Sequence, residues 1–181
     1  MKVISGKYRG RSLLGFDISG TRPTMDRVKE SLFAMIQNFI DDAVVLDLFA
    51  GSGNLGIEAL SEGARVAYFV DKNKKAYYTI QKNLSSLKIS DGYVYFSDYL
   101  KALKEFSSRQ IVFDIIFVDP PYQTGLVEES IANILKLGIL RHGGIIVAES
   151  DKVEKIVYPA CLEVVKSKKY GDKWVAILRY V

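Results

Sequence analysis

Regular alternation between short apolar runs and longer segments of helical periodicity limits the folds open to this chain more than any other feature. Val44-Val45-Leu46-Asp47-Leu48-Phe49, Val66 to Val70, Tyr93-Val94-Tyr95-Phe96, Ile111 to Val118 and Ile145 to Glu149 read as buried strands. Helical patterns fill the intervals: one from the glycine turn at Gly51 to near Gly63, then Ala76, Tyr77, Ile80, Leu84 and Leu87. Leu100, Leu103 and Phe106 mark a shorter helix, and Val127, Ile131, Ile134 and Leu135 mark another, which Gly143-Gly144 joins to the fifth strand. A first helix, with Met25, Val28, Leu32, Met35, Ile36 and Phe39 on one face, is expected after Pro23-Thr24, with Thr24 as its N-cap. Strand followed by helix implies parallel strands joined by right-handed crossovers, with ligands at the carboxyl ends of the strands.

The finish breaks the pattern. Leu162-Glu163-Val164-Val165-Lys166 and Trp174-Val175-Ala176-Ile177-Leu178 flank Tyr170-Gly171-Asp172-Lys173, the signature of an antiparallel hairpin closing the sheet. The expected fold class is therefore α/β, a mostly parallel Rossmann-like sheet with a C-terminal hairpin. At 181 residues and 49% hydrophobic, the chain suits a single domain, divided into a basic N-terminal arm over residues 1–24 and a core over 25–181.

Cys161 and His142 are the sole cysteine and histidine, which excludes a disulfide framework, a zinc cluster and a Cys-His catalytic pair within one chain. A reducing cytoplasm, a monomer and no metal are expected. Nothing at the amino end has the apolar core of a signal peptide, and no run approaches the ~18 apolar residues that span a bilayer, so no membrane partner is expected.

The net charge of +4 is unevenly placed: residues 1–29 carry seven Lys or Arg against two Asp, leaving −1 for the remainder. Clustering of Lys2, Lys7, Arg9, Arg11, Arg22, Arg27 and Lys29 points to an acidic partner such as nucleic acid, where a solvated tail is the plain alternative.

Gly51-Ser52-Gly53-Asn54-Leu55-Gly56 fits the dinucleotide fingerprint, and Asp71 stands 20 residues after Gly51, where a ribose-binding carboxylate belongs. NAD, FAD or another adenosine cofactor satisfies that pattern equally. Asp47, inside the first strand, suits a cationic or amine-bearing ligand better than a nicotinamide cofactor. Asp98, after the third strand, can accept from an adenine amine, with Tyr99 beside it. Each carboxylate alone is as readily a turn residue or cap; together with the glycine turn they describe a nucleoside-cofactor site. Phe49, Ala50, Ser52, Gly53 and Lys72 complete the expected cofactor-binding set.

Asp119-Pro120-Pro121-Tyr122 follows the fourth strand: a polar head, two rigid prolines and an aromatic, suited to gripping a planar amine. With Lys7-Tyr8-Arg9-Gly10-Arg11, Thr21 to Phe33, Val45 to Gly53, Gly56 to Ala64 and Phe113 to Tyr122 in order, the chain resembles the RsmD family. These are bacterial methyltransferases that modify N2 of a guanine in 16S ribosomal RNA with S-adenosylmethionine. The resemblance implies a seven-stranded class I methyltransferase fold, Asp119, Pro120, Pro121 and Tyr122 as catalytic residues, and 16S rRNA or an assembling small subunit as partner. Arg9, Arg11, Arg22 and Arg27 become RNA-binding candidates, with Lys166, Lys168 and Lys169 secondary. Glu62 departs from the Arg usual in the family and is expected on the solvent face.

The tetrad has a chemical rationale. An exocyclic guanine or adenine amine is conjugated with its ring and poorly nucleophilic. Asp119 can accept one amine hydrogen and the Pro120 carbonyl the other, drawing the lone pair out of the ring plane, while the prolines hold both acceptors rigid. Tyr122 would stack on the base. The tetrad alone does not choose the base, so a DNA or RNA adenine-N6 methyltransferase remains the nearest alternative. A NAD-dependent oxidoreductase would leave Asp47 and the tetrad without a role, and a non-catalytic RNA-binding module is a third reading.

Overall fold

The computed structural model describes residues 1–15, 23–121, 125–150 and 156–181, and of residues 23–25 the backbone alone. Expectations placed on Arg22 and Tyr122 lie outside the described residues.

Seven strands form one sheet in the order β3-β2-β1-β4-β5-β7-β6. They are β1 (Val44–Asp47), β2 (Val66–Asp71), β3 (Gly92–Phe96), β4 (Phe113–Val118), β5 (Leu140–Ser150), β6 (Leu162–Tyr170) and β7 (Lys173–Tyr180). The first five pair in parallel, while β7 is antiparallel to both β5 and β6. The helices are α1 (Pro23–Ile36), α2 (Asn54–Ser61), α3 (Lys74–Leu87), α4 (Tyr99–Ser108) and α5 (Leu126–Lys136). The sheet reverses direction of growth between β1 and β4, which is where such folds open a ligand crevice.

Strand alternation divides the core between the two faces. Val45, Ile115, Phe117, Ile145, Val147, Val175 and Ile177 pack on the side of Leu32, Phe33, Ile57, Ile80 and Leu84 from α1, α2 and α3. Leu46, Ile116, Val118, Ile146, Ala148, Ala176 and Leu178 pack against Leu103, Phe106, Val127, Ile131 and Ile134 from α4 and α5. Burial on both faces is why the central strands read as unbroken apolar runs.

Two boundaries differ from expectation. Helix α1 starts at Pro23, so Thr24 lies inside its first turn and is not the N-cap; proline is pre-set for the first helical position, where its missing N–H costs nothing. Gly143-Gly144 do not precede β5 but lie within it. Phe113 faces Leu140 and Ile115 faces Ile145, so β5 bulges by extra residues there. A Cβ on Gly144 would come within 2.8 Å of the Arg141 carbonyl oxygen and 2.9 Å of that of Asp114, so the bulge requires glycine.

Residues 1–14 are a folded strap across α2 and α3. Met1, Val3 and Leu13 join the strap into a short antiparallel loop through backbone bonds to Leu13, Arg11 and Gly10. Glu58 of α2 accepts from the backbone N–H groups of Ile4 and Ser5. Ser61 donates to the Ser5 carbonyl and accepts from Tyr8 N–H. A Cβ on Gly6 would lie 1.8 Å from the Ser61 carbonyl oxygen, so the strap touches α2 backbone to backbone. Glu62, expected on the solvent face, is only half-exposed and accepts from the Ser5 hydroxyl; the contact is made by a segment 57 residues away in sequence, which helical periodicity cannot reveal.

Candidate active site

The glycine turn links β1 to α2, and its glycines have separate physical tasks. Gly51 has φ +55° with open space where a Cβ would lie. Gly53, at φ +79°, is the N-cap of α2 and leaves room beside Ile80 and Phe69. Gly56 lets α2 lie against β2: a Cβ there would be 2.3 Å from the Phe69 ring. The Ala50 N–H donates to the Val70 carbonyl and the Gly53 N–H to that of Ala50, which pins the turn to the sheet. Asn83 on α3 holds it from behind, donating to the Ser52 carbonyl and to that of Leu14.

Asp71 ends β2 and accepts from Gly51 N–H at 2.9 Å and Asn73 N–H at 2.8 Å, which aims the carboxylate at the turn. Asp98 caps α4 through Leu100 N–H, so the plain cap reading is part of its role. An ionised carboxylate has about four acceptor positions, and both residues keep capacity for ribose or adenine donors. Tyr99 opens α4, its ring centroid 5.4 Å from that of Phe49 and its hydroxyl donating to Glu129 at 2.5 Å. Lys72, Phe96, Ser97, Asp98 and Lys101 line a cleft of about 240 Å³ beyond Asp71.

Asp47 is buried at the end of β1 and accepts from Gly56 N–H at 3.0 Å. Burial pushes its carboxyl up to about 7, against the Gly56 hydrogen bond and with help from the Asp71 charge. A carboxylate so desolvated gains from any cation brought beside it. Asp119 follows β4, partly exposed, and its carboxyl is also raised to about 7. Burial is the main cause, followed by the Glu149 charge; Lys173 opposes the shift and Asp47 adds to it. Pro120 is half-buried and Pro121 exposed.

Register explains why these groups meet. Val118 lies opposite Ala148, and Glu149 opposite Val175. Leu46, Val70, Val118 and Ala148 all belong to the α4–α5 face, so by alternation Asp47, Asp71, Asp119 and Glu149 fall on the α1–α3 face. A row of carboxylates thus crosses β2, β1, β4 and β5 at one end of the sheet, and Lys173 on β7 closes it with an ion pair to Glu149. Neither Glu149 nor Lys173 was singled out by sequence reasoning; β7 becomes a neighbour of β5 only through the terminal hairpin.

The basic residues separate. Arg9, Arg11 and Arg27 are exposed, Arg11 donating to the Ser86 carbonyl. Lys29 is not part of any outer basic surface: it is buried, paired with Glu58 at 2.6 Å and donating to the Lys2 carbonyl and Asn54 Oδ1 at 2.7 Å each. Lys168 and Lys169 stand over the rings of Tyr170 and Trp174 at the hairpin tip, beside Lys173, and Lys166 is exposed.

A nucleoside crevice at the β1–β4 switch point, acidic residues ending successive strands and the antiparallel β7 define a class I methyltransferase. The family described as "Conserved hypothetical protein 95" matches residues 1–179. The Bacillus subtilis protein YlbH is 42% identical over 181 residues, covering 99% of this chain and 98% of its own. The Haemophilus influenzae protein named Ribosomal RNA small subunit methyltransferase D is 36% identical over 173 residues, covering 94% and 89%. The solved Escherichia coli structure of yhhF superimposes with a TM-score of 0.89 at 35% identity, covering 99% and 97%. The chain belongs to this family, the RsmD family that its motifs resemble.

Proposed function

We propose that the protein methylates the exocyclic N2 amine of a guanine in 16S ribosomal RNA, with S-adenosylmethionine as methyl donor. The observation that carries this reading is the placement of Asp119 and Pro120 at the end of β4, next to the strand whose turn would hold the cofactor.

The residues present fit an adenosyl cofactor bearing an amine and a sulfonium. Open space over Gly51 admits the ligand to the backbone, Asp71 lies within one hydrogen bond of that glycine, and desolvated Asp47 faces the crevice floor as counter-charge. Phe49, Ala50, Ser52 and Gly53 shape the turn; Lys72, Asp98 and Tyr99 lie toward the adenine end. When bound, S-adenosylmethionine supplies a methyl group on a positively charged sulfur, transferred in line as the S–CH3 bond breaks and its electron pair stays on sulfur.

The chain's own groups prepare the nucleophile. Asp119 and the Pro120 carbonyl accept the two amine hydrogens, Pro121 keeps the bend rigid, and Tyr122 stacks on the base. After transfer, Asp119 takes the proton that the methylated amine loses. A guanine must be turned out of its stack to enter, at a cost of a few kcal/mol, which Arg9, Arg11, Arg22 and Arg27 offset by phosphate contacts. Action in the cytoplasm, as a monomer and without a metal, on free 16S rRNA or an assembling small subunit, completes the reading. Residues 1–24 serve as the RNA-facing arm of a single domain whose core is 25–181.

Labelled S-adenosylmethionine, incubated with naked 16S rRNA and with small subunits from a strain lacking the enzyme, followed by nucleoside analysis, tests this directly. N2-methylguanosine is expected. Asp119→Ala is expected to lose at least ~100-fold in transfer, the scale of a preorganised transition-state contact. N6-methyladenosine as product, or near-normal turnover of the variant, would overturn the reading.

A further inference from the structure

Glu149 and Lys173 have no part in the chemistry above, yet they lie against the group that performs it. Glu149 ends β5 one strand over from Asp119 and on the same face of the sheet. Its side chain is 18% exposed and paired with Lys173, whose own is 39% exposed. The pair is open to the crevice mouth and not sealed in the core. Neighbouring strands are about 4.8 Å apart, so two carboxylates stand side by side where the reacting amine must enter.

We propose that Glu149 is a specificity-determining residue that reads the Watson–Crick edge of the target base, accepting the N1–H that guanine carries next to its N2 amine. The inference rests on the guanine reading above and deepens it. Guanine presents N1–H and N2–H as adjacent donors. Adenine presents, beside its N6 amine, the bare N1, which is an acceptor. An ionised carboxylate only accepts, so Glu149 rewards guanine and sets lone pair against lone pair with adenine. Lys173 fixes the rotamer of Glu149 and keeps it ionised beside Asp119, whose own proton affinity its charge raises. Asp119 is thus left to the amine while Glu149 holds the ring edge, and the two contacts together set the base in the plane that Pro120 and Pro121 define. A flipped base is read by hydrogen bonds to this same edge in other base-modifying enzymes.

The alternative role for Glu149 is purely structural, an ion pair closing β5 on β7. Three variants separate the two, each assayed for methylation of small subunits from a strain lacking the enzyme and for S-adenosylhomocysteine binding by calorimetry. Glu149→Gln keeps an acceptor oxygen without the charge, and Lys173→Met keeps the carboxylate without its partner; both are expected to stay within ~10-fold of the parent kcat/KM. Glu149→Leu, leaving the N1–H unpaired, is expected to fall at least ~100-fold, toward the discrimination that hydrogen-bonded substrate sites achieve. Cofactor affinity should stay within about twofold throughout, because Glu149 faces the base and not the donor. Equal losses in all three variants would show a structural ion pair and overturn the proposal, as would parent-like turnover of Glu149→Leu. A parent protein that yields N6-methyladenosine would instead overturn the guanine reading, and this inference with it.

Discussion

Lys29 and Glu58 form a buried ion pair 2.6 Å long that joins α1 to α2 directly behind the glycine turn. Each partner has further work: Lys29 also binds Asn54, the first residue of α2, and the Lys2 carbonyl, while Glu58 holds the backbone of Ile4 and Ser5. The strap, α1 and the cofactor turn therefore meet at one pair of charges.

Removing one partner strands the other in the core. Lys29→Met is expected to lower unfolding stability by about 3–5 kcal/mol, whereas Lys29→Met combined with Glu58→Leu recovers a large part, because no unpaired charge remains. Urea denaturation of the two variants checks this. A single variant as stable as the parent would show that the pair contributes nothing.

Asp47 is held for function at a cost to the fold. Its carboxyl titrates near 7 when folded against an ordinary 3.8, so the native state keeps a proton that the unfolded chain loses. Stability from this group is complete below pH 4 and is lost as pH rises toward and through 7. Asp47→Asn keeps an acceptor for Gly56 N–H and removes that loss. Its melting temperature at pH 8 should equal or exceed that of the parent, while S-adenosylhomocysteine binding weakens ~10-fold, one lost charge contact of about 1.4 kcal/mol. Unchanged cofactor affinity would remove Asp47 from the binding set.

Asp119 must be ionised to accept an amine hydrogen. With its carboxyl raised to about 7 in the free protein, kcat/KM for methyl transfer to small subunits should climb between pH 6 and 8 and level off above. A rate independent of pH over that range would show that Asp119 ionisation does not limit the reaction.

Gly51 and Gly56 should fail differently. Gly51→Ala meets open space, so its stability cost is the positive φ alone, about 1 kcal/mol, but its methyl group stands where the ligand approaches and cofactor affinity falls. Gly56→Ala drives a methyl into the Phe69 ring, an overpacking that costs about 1–3 kcal/mol of stability. Paired melting and binding measurements separate them; equal profiles would contradict the two assigned roles.

Arg9 and Arg11 project from a strap that is itself part of the core, so point substitution is the clean test of RNA contact. Changing both to Gln should reduce the slope of log K for RNA against log salt by about 2, one per lost phosphate contact. Filter binding across a salt series reads it, and an unchanged slope would assign RNA binding elsewhere, with the hairpin-tip lysines as the next place to look.

The sequence by itself determined what depends on near neighbours. Alternating apolar runs specify strands buried on both faces, 3.6-residue periodicity specifies the crossover helices, and glycines mark the one turn whose φ values only they adopt freely. Asp47, Asp71, Asp98 and Asp119 could be placed at successive strand ends because parallel crossovers put every such end on one edge of the sheet. Tertiary structure alone decided which distant charges would meet. Lys29, read as one of a basic cluster, is drawn inside because Glu58 waits there across 29 residues of chain. Glu149 and Lys173 join the Asp119 site because the terminal hairpin reverses the chain and lays β7 against β5. Strand propensity and turn chemistry are local; strand order, and with it the pairing of charges, is set by how the whole sheet buries its two faces.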